Sequence, residues 1–210
     1  MEKLKIMRKE INVNECPVLF DRPFGPESLS VDWQIRTADW WVEDEWLTGC
    51  NPDNFPGMVT SRKNYFGNVL IEFEARTVLP STHDINCMWN GSWNDETNER
   101  DVAYDIGLEG WWEGKVGFEK SPDYKLNAAN PIFQFEPGRI YRLQAGSIDG
   151  DVFVLVDGGL ILEVTDPDPI DTRRYGLVGF EAYASMIQVR RPVVRQIVWV
   201  ERPLSYGLEF

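Results

Sequence analysis

Asp105, Glu109 and Glu119, interleaved with Gly107 and Gly117, are the residues of this chain whose types and spacing could most readily do chemistry. In residues 101 to 121, DVAYDIGLEGWWEGKVGFEKS, Val102, Tyr104, Ile106 and Leu108 alternate with Asp101, Ala103, Asp105, Gly107, Glu109 and Trp111. That is the period-2 pattern of a half-buried strand, so the polar groups gather on one face. A three-residue loop at Trp112, Glu113 and Gly114, with glycine in the left-handed position, would pair Trp111 with Lys115, Glu109 with Gly117 and Gly107 with Glu119. Val116 and Phe118 then join the apolar face. A two-residue turn at Glu113-Gly114 would put Phe118 opposite Glu109 and mix the faces, which burial of one face disfavours. The longer loop is preferred, and it leaves Glu119 diagonal to both other acids at roughly 7 to 8 Å or somewhat less between Cβ atoms. Carboxylates beside the Trp111 indole, over a floor without side chains, suit a sugar, whose apolar faces stack on rings and whose hydroxyls need acceptors. A solvated outer sheet face would carry the same acids for solubility alone.

Cleavage of a glycosidic bond needs two carboxyl groups about 5 to 5.5 Å apart for retention, or about 6.5 to 9.5 Å for inversion. Residues 105 and 109 lie roughly 13 Å apart along a flat strand, so Glu119 is the easier partner for either. The expected hydrolytic pair is Glu109 with Glu119 or Asp105, one of them protonated because like charges nearby raise a pKa. His83, the single histidine, stands at the start of a strand that also offers Asn86 and Asn90. Histidine is the side chain type whose unperturbed pKa lies near neutrality, which suits a general base beside a sugar carbonyl or carboxylate, as in a lyase or keto-sugar enzyme, although such a position is also common for a structural histidine. Asn86 and Asn90 are expected to bind substrate, and Trp89, Trp93 and Trp112 could be stacking platforms or core residues. Lys120 is expected opposite Ile106, snorkelling at the margin of the apolar face. Arg62, Arg173 and Arg174 could meet a carboxylated sugar, with surface solvation the plainer reading. No cofactor is expected. A structural Ca²⁺ at the Asp-rich turns is compatible with the composition, but there is no EF-hand spacing and zinc lacks ligands. Gly110 to Lys115 is one residue short of a phosphate loop, and no Gly-x-Ser-x-Gly elbow is present.

Positioning these groups falls to strands. Short β-type runs recur with turn chemistry between them, and no segment sustains a helical apolar period, so the chain reads as all-β. The expected strands are 18–21, 40–43, 47–49, 58–61, 69–77, 85–89, the acidic hairpin, 140–147, 151–157, 160–165, 176–183 and 193–200. Asp149-Gly150 and Asp157-Gly158-Gly159 should make residues 140 to 165 a three-stranded meander. Asn94 to Arg100 and Pro122 to Pro137 read as polar loops, the second long enough to be functional. Adjacent Trp40 and Trp41 must point to opposite sides of their strand.

The 210 residues fit one domain, 1–210, and nine Trp with 43% hydrophobic residues supply a large core. A formal charge of −13 without a basic patch argues against nucleic acid and anionic membranes as partners. Cys16, Cys50 and Cys87 have no metal-ligand spacing and read as reduced and mostly buried. With no secretory signal or membrane span in view, the expected location is the cytoplasm. Oligomeric state is not legible.

The run Trp40 to Gly49 followed by Val69 to Glu74 resembles the opening of concanavalin A-like lectin/glucanase domains. Tyr104-Asp105-Ile106 resembles their central acidic strand, and 137–142, 157–159, 166–169 and 176–183 resemble the second half of the domain. The chain is most similar to the bacterial 3-keto-disaccharide hydrolase type and the YesU-type domains of sugar-degradation operons. The resemblance covers nearly the whole chain. It implies a concanavalin A-like jelly-roll sandwich of two curved antiparallel sheets, with a ligand groove on the concave face of one, lined by Asp105, Glu109 and Trp111. Laminarinase-like members carry acidic-x-acidic-x-acidic on this strand. Here Gly107 replaces the middle acid and Asp105 a longer glutamate, so their catalytic assignment does not transfer. Two functions follow: an enzyme of hydrolase or lyase type acting on small glycosides or oligosaccharides, or a non-catalytic sugar-binding domain or subunit.

Overall fold

The computed structural model describes residues 3–6, 8–110 and 115–202. Its first strands are β1 (Lys3–Lys5), β2 (Lys9–Asn12), β3 (Val18–Asp21), β4 (Trp33–Ile35), β5 (Asp39–Glu43), β6 (Trp46–Ser61), β7 (Val69–Thr77), β8 (Ile85–Gly91), β9 (Trp93–Asn94) and β10 (Glu99–Arg100). There follow β11 (Ala103–Leu108), β12 (Val116–Ser121), β13 (Asn127–Asn130), β14 (Tyr141–Ile148), β15 (Asp151–Val156), β16 (Gly159–Thr165), β17 (Leu177–Gln196) and β18 (Trp199–Glu201). A single turn of helix, Ser28–Val31, precedes β4.

Two long strands organise the rest. The runs 47–49 and 58–61, expected as separate strands, are the two ends of β6, and 176–183 and 193–200 belong largely to β17. These antiparallel neighbours pair from Gly179↔Thr60 to Tyr183↔Pro56, skip a register at the bulge after Tyr183, and resume from Ser185↔Asn51 to Val189↔Leu47. The Asn51 amide donates to the Ala182 carbonyl at 2.8 Å across the bend. On one side of the bend β17 carries β8, β11, β12 and β13, and on the other β7, β14, β15 and β16. The polar stretch of β6 disguised its continuity because a bent, bulged strand loses its apolar alternation while keeping its ladder.

Inward alternation from both halves fills one core, in which Val59, Ile106, Phe118 and Phe180 meet Phe73, Leu143, Val154 and Val189. Residues 152 and 154 of β15 face this core, whereas Phe153 and Leu155 join Leu4, Ile11 and Leu70 beneath the small sheet β1-β2-β18. Burial on both faces explains the unbroken apolar run DVFVLV. The meander forms as expected, with Asp149, Gly150, Asp157 and Gly158 all at positive φ, as type I′ turns require. The segment 122–137, expected as a loop, contributes β13 to the edge of the sheet. Trp40 is buried and Trp41 exposed, so the pair does divide across its strand.

Trp40 faces Gly49 across the β5–β6 ladder, and a Cβ at Gly49 would come within 2.4 Å of the indole. A Gly49→Ala variant is therefore expected to lose about 1 to 3 kcal/mol of stability by overpacking. Denaturant melts followed by tryptophan fluorescence would measure it, and an unchanged midpoint would contradict the close packing.

Candidate functional site

The acidic hairpin keeps its expected faces and changes its register. Asp105 pairs with Glu119, Ile106 with Phe118 and Gly107 with Gly117, a slip of two residues from the expected alignment. An even slip preserves the parity of every side chain, so apolar patterning could not distinguish the two registers. Asp105 and Glu119 are consequently directly opposite, not diagonal. Trp111 and Trp112, expected to border the site, lie outside the described residues. Lys120 faces Tyr104, not Ile106, and is tied to Asp166 at 2.8 Å and to the Asp168 carbonyl. The Tyr104 hydroxyl donates to the same Asp166 carboxylate at 2.9 Å.

Arg100 organises the outer face. It ends the run Asn94 to Arg100, expected as a loop, which pairs with itself as the β9–β10 hairpin and lays the guanidinium over the sheet. Nη1 binds Asp105 and, at 2.7 Å, Glu181; Nη2 binds Glu119 at 3.1 Å. The Asp105 side chain has no exposed surface, and those of Arg100 and Glu181 are each 5% exposed. Burial would by itself lower the Arg100 pKa, but the charges of Asp105 and Glu181 more than reverse it. Burial raises Asp105, Glu181 and Glu119 above the usual carboxylate range, with Arg100 opposing each shift. Asp105 Oδ1 and Arg100 Nε have no hydrogen-bond partner among the described residues.

Asp84 sits beside this group. It is 7% exposed, and its carboxyl is pushed up to about 8, first by burial and then by the Glu181 charge, while a hydrogen bond from Asn86 works the other way. Its Oδ1 lies where a Cβ on Gly110 would come within 2.1 Å, so only glycine lets the chain leaving β11 approach. Glu109, at φ +60° past the end of β11, is raised by burial and lowered by His83. Glu109 and His83 thus neighbour each other, but Glu109 takes no part in the Arg100 cluster: the acid sharing Arg100 with Asp105 and Glu119 is Glu181.

Several expected binding residues face the other way. Trp89 follows Ile85 and Cys87 in alternation and is fully buried, its Nε1 donating to the Ser147 hydroxyl at 3.1 Å. Asn90 should have shared the outer face with Asn86. A bulge between Leu177 and Gly179 on the β17 side and φ +45° at Asn90 turn it inward, where it accepts from Ser147 and donates to the Gly67 carbonyl. Neither can touch a ligand in the groove. Asn86 does face outward, paired between Gly107 and Glu181, but is buried. Trp93, by contrast, packs on the outward-facing Met58, Met88 and Ala103 with Arg36 over its ring and lines the pocket described next, whereas Arg62, Arg173 and Arg174 do not.

A pocket of about 350 Å³ opens above the cluster, lined by Phe55, Pro56, Trp93, Asn98, Glu99, Arg100, Pro122 and Tyr124. Arg100 reaches it, whereas Asp105, Glu119 and Glu181 do not, so the guanidinium stands between the pocket and the acids. Phe55 and Tyr124 are 42% and 44% exposed and offer ring surface. Sequence patterning missed Arg100, Glu181, Phe55 and Tyr124. The available signal was Arg100 as the sole cation in an otherwise acidic and polar run, and Glu181 at the outward position between core Phe180 and Ala182. Among the described residues no group of three or more His, Cys, Asp or Glu is disposed to hold a metal ion.

No family model and no curated protein matches the chain. Its structure is similar to a protein of unknown function with a galectin-like fold from Bacillus subtilis, at 15% identity and TM-score 0.67 over 87% of this chain and 97% of that one. It is also similar to the Bacillus licheniformis β-glucanase, at 13% identity and TM-score 0.61 over 87% and 99%. A carbohydrate-binding module from Bacillus subtilis aligns at 10% identity and TM-score 0.54 over 80% and 95%. The chain has the concanavalin A-like jelly-roll fold. Within this jelly roll, the Arg100 cluster occupies the outer face of the sheet that contains β11 and β12.

Two outcomes test this geometry. Arg100→Met leaves the buried Asp105 and Glu181 and the half-buried Glu119 without their cation and should cost about 3 to 5 kcal/mol at neutral pH, read by denaturant titration. Asp84 binds a proton in the folded state that the unfolded chain has already lost, so its contribution to stability is present below pH about 4 and lost as pH rises toward 8. The expected slope is at most about 1.4 kcal/mol per pH unit in that window. Asp84→Asn should flatten it, and an identical pH profile in the variant would refute the assignment.

Proposed function

We propose that this protein binds a carbohydrate in the pocket above Arg100. The observation that carries the reading is an arginine locked by three carboxylates and presented to a cavity edged by aromatic rings and by Asn98 and Glu99. A rigid, fully ionised guanidinium at the pocket floor, amide and carboxylate groups at its wall, and ring surface are complementary to a ring of hydroxyls with one apolar face. The volume is at the small end of ligand pockets, which run roughly 300 to 1,000 Å³, and suits a short oligosaccharide or chain end. The structural neighbours named as a carbohydrate-binding module and a β-glucanase support the same reading.

The expected hydrolytic pair on the hairpin is poorly placed for attack on a sugar. Asp105 has no exposed surface and its Oδ2 is engaged by Arg100. A second, enzymatic reading rests on a different group: Asp84, a carboxyl held protonated near neutrality, beside Glu109 and His83. A general acid performs best with a pKa near the working pH, and burial is the usual means of raising it.

Phe55→Ala and Tyr124→Ala remove exposed rings without touching the core, and each should weaken sugar binding about tenfold in calorimetric titration. Binding unchanged in both variants would exclude this pocket. In a parallel screen against plain and 3-keto glycosides, the binding reading expects no turnover. Turnover that disappears in Asp84→Asn would establish the enzymatic one.

A further inference from the structure

We infer that the pocket is selective for neutral carbohydrate and excludes anionic sugars such as uronates, sialylated glycans and sulfated glycans. The inference rests on the carbohydrate reading above and concerns the charge of the ligand. Arginine at a sugar site would ordinarily suggest the opposite, because its planar fork matches a carboxylate or sulfate in bidentate fashion. Here no parallel pair of N–H groups is open to such a ligand. Nη1 is shared between Asp105 and Glu181, Nη2 holds Glu119, and Nε is buried. An incoming carboxylate could engage Arg100 in bidentate fashion only by displacing one of these acids, leaving it without its counter-ion.

The surroundings supply no substitute cation. Arg100 is the only Lys or Arg among the described lining residues, and Glu99 adds a further acid. Arg36 lies over Trp93 and is bound to Asp95 at 3.1 Å, while Lys125, beside Tyr124, is paired with Asp123 at 2.9 Å. Three carboxylates behind one guanidinium, with Glu99 at the wall, give a field that repels negative ligands, in a chain whose formal charge is −13. Like-charge juxtaposition of this kind is how binding sites reject partners of similar shape. Neutral hydroxyls meet no such obstacle, since Asn98 and Glu99 line the pocket and can donate or accept without displacing any acid from Arg100.

The test is isothermal titration of the intact protein with gluco-, galacto- and manno-oligosaccharides, each beside the same oligosaccharide oxidised to the uronate at C6. The expected result is binding of at least one neutral member, with its uronate partner weaker by about tenfold or more at low salt. The gap should narrow several-fold in 0.5 M NaCl, because screening weakens the repulsion. It should also narrow in Glu99→Gln, an exposed position where the substitution spares the fold. A uronate bound as tightly as its neutral partner, or more tightly, would overturn the charge selectivity and leave the carbohydrate reading standing. Failure of every oligosaccharide to bind would overturn the carbohydrate reading, and this inference with it.

Discussion

The burial of one guanidinium among three carboxylates constrains everything on the outer face of this sheet. Arg100 comes from β10, Asp105 from β11, Glu119 from β12 and Glu181 from β17, so a single charge ties four strands that the backbone ladder alone would leave to slide or fray. Removing these groups from water costs several kcal/mol per ion, and mutual attraction offsets that only when the geometry is held. Such a cluster is therefore weak evidence for added stability and stronger evidence for a fixed arrangement. Its visible consequence is that the β9–β10 hairpin, too short to be stable alone, is fastened across the sheet and forms part of the wall of the pocket.

Behind the cluster, the core works against displacement of the same strands. Tyr104 and Phe118 alternate with Asp105 and Glu119 on the inner face, and Trp89, Tyr104 and Phe118 pack ring against ring at centroid separations of 5.9 and 5.8 Å. Sliding β11 against β12 would break the ion cluster on one face and this aromatic contact on the other at once. The bend shared by β6 and β17 sets where the face ends. Beyond the bulge at Tyr183 the same two strands enter the opposite half of the sandwich, and Glu181 is the last acid of β17 to reach the cluster before that turn. Two long bent strands thus place the outward acid Glu181 and core residues such as Phe180 from a single ladder.

The fold was legible because burial writes itself into alternation. Val69–Thr77 was read to the residue, and the meander from its two Asp-Gly turns, since both signals are local. The site was less legible because its decisive residues depend on contacts distant in sequence. Asp105 and Glu119 were visible as outward acids, but Arg100 and Glu181 reach them across 5 and 76 residues, and neither neighbourhood announces that a polar run will fold back over a sheet. The even slip of the hairpin shows the limit of patterning from the other side: alternation fixes the face and is blind to a two-residue shift. Trp89 was a different case. Its parity with Ile85 and Cys87 placed it in the core, and expecting it in the groove gave residue type priority over position. For Asn90 parity itself misled, because a bulge reverses the side chain.

Raised carboxyl pKa values on a sheet face can signal either catalysis or structure, and here position separates the two. Asp105 and Glu181 are raised because they are buried, with Arg100 opposing the shift, and Arg100 rather than either acid reaches the pocket. Asp84, like Asp105, has an oxygen without a partner among the described residues, but its neighbourhood includes Glu109 and His83 rather than Arg100's fork. The proposed recognition site thus sits at the Arg100 end of the acidic strand, and the group on which the alternative enzymatic reading rests sits at the end of β11 near Gly110.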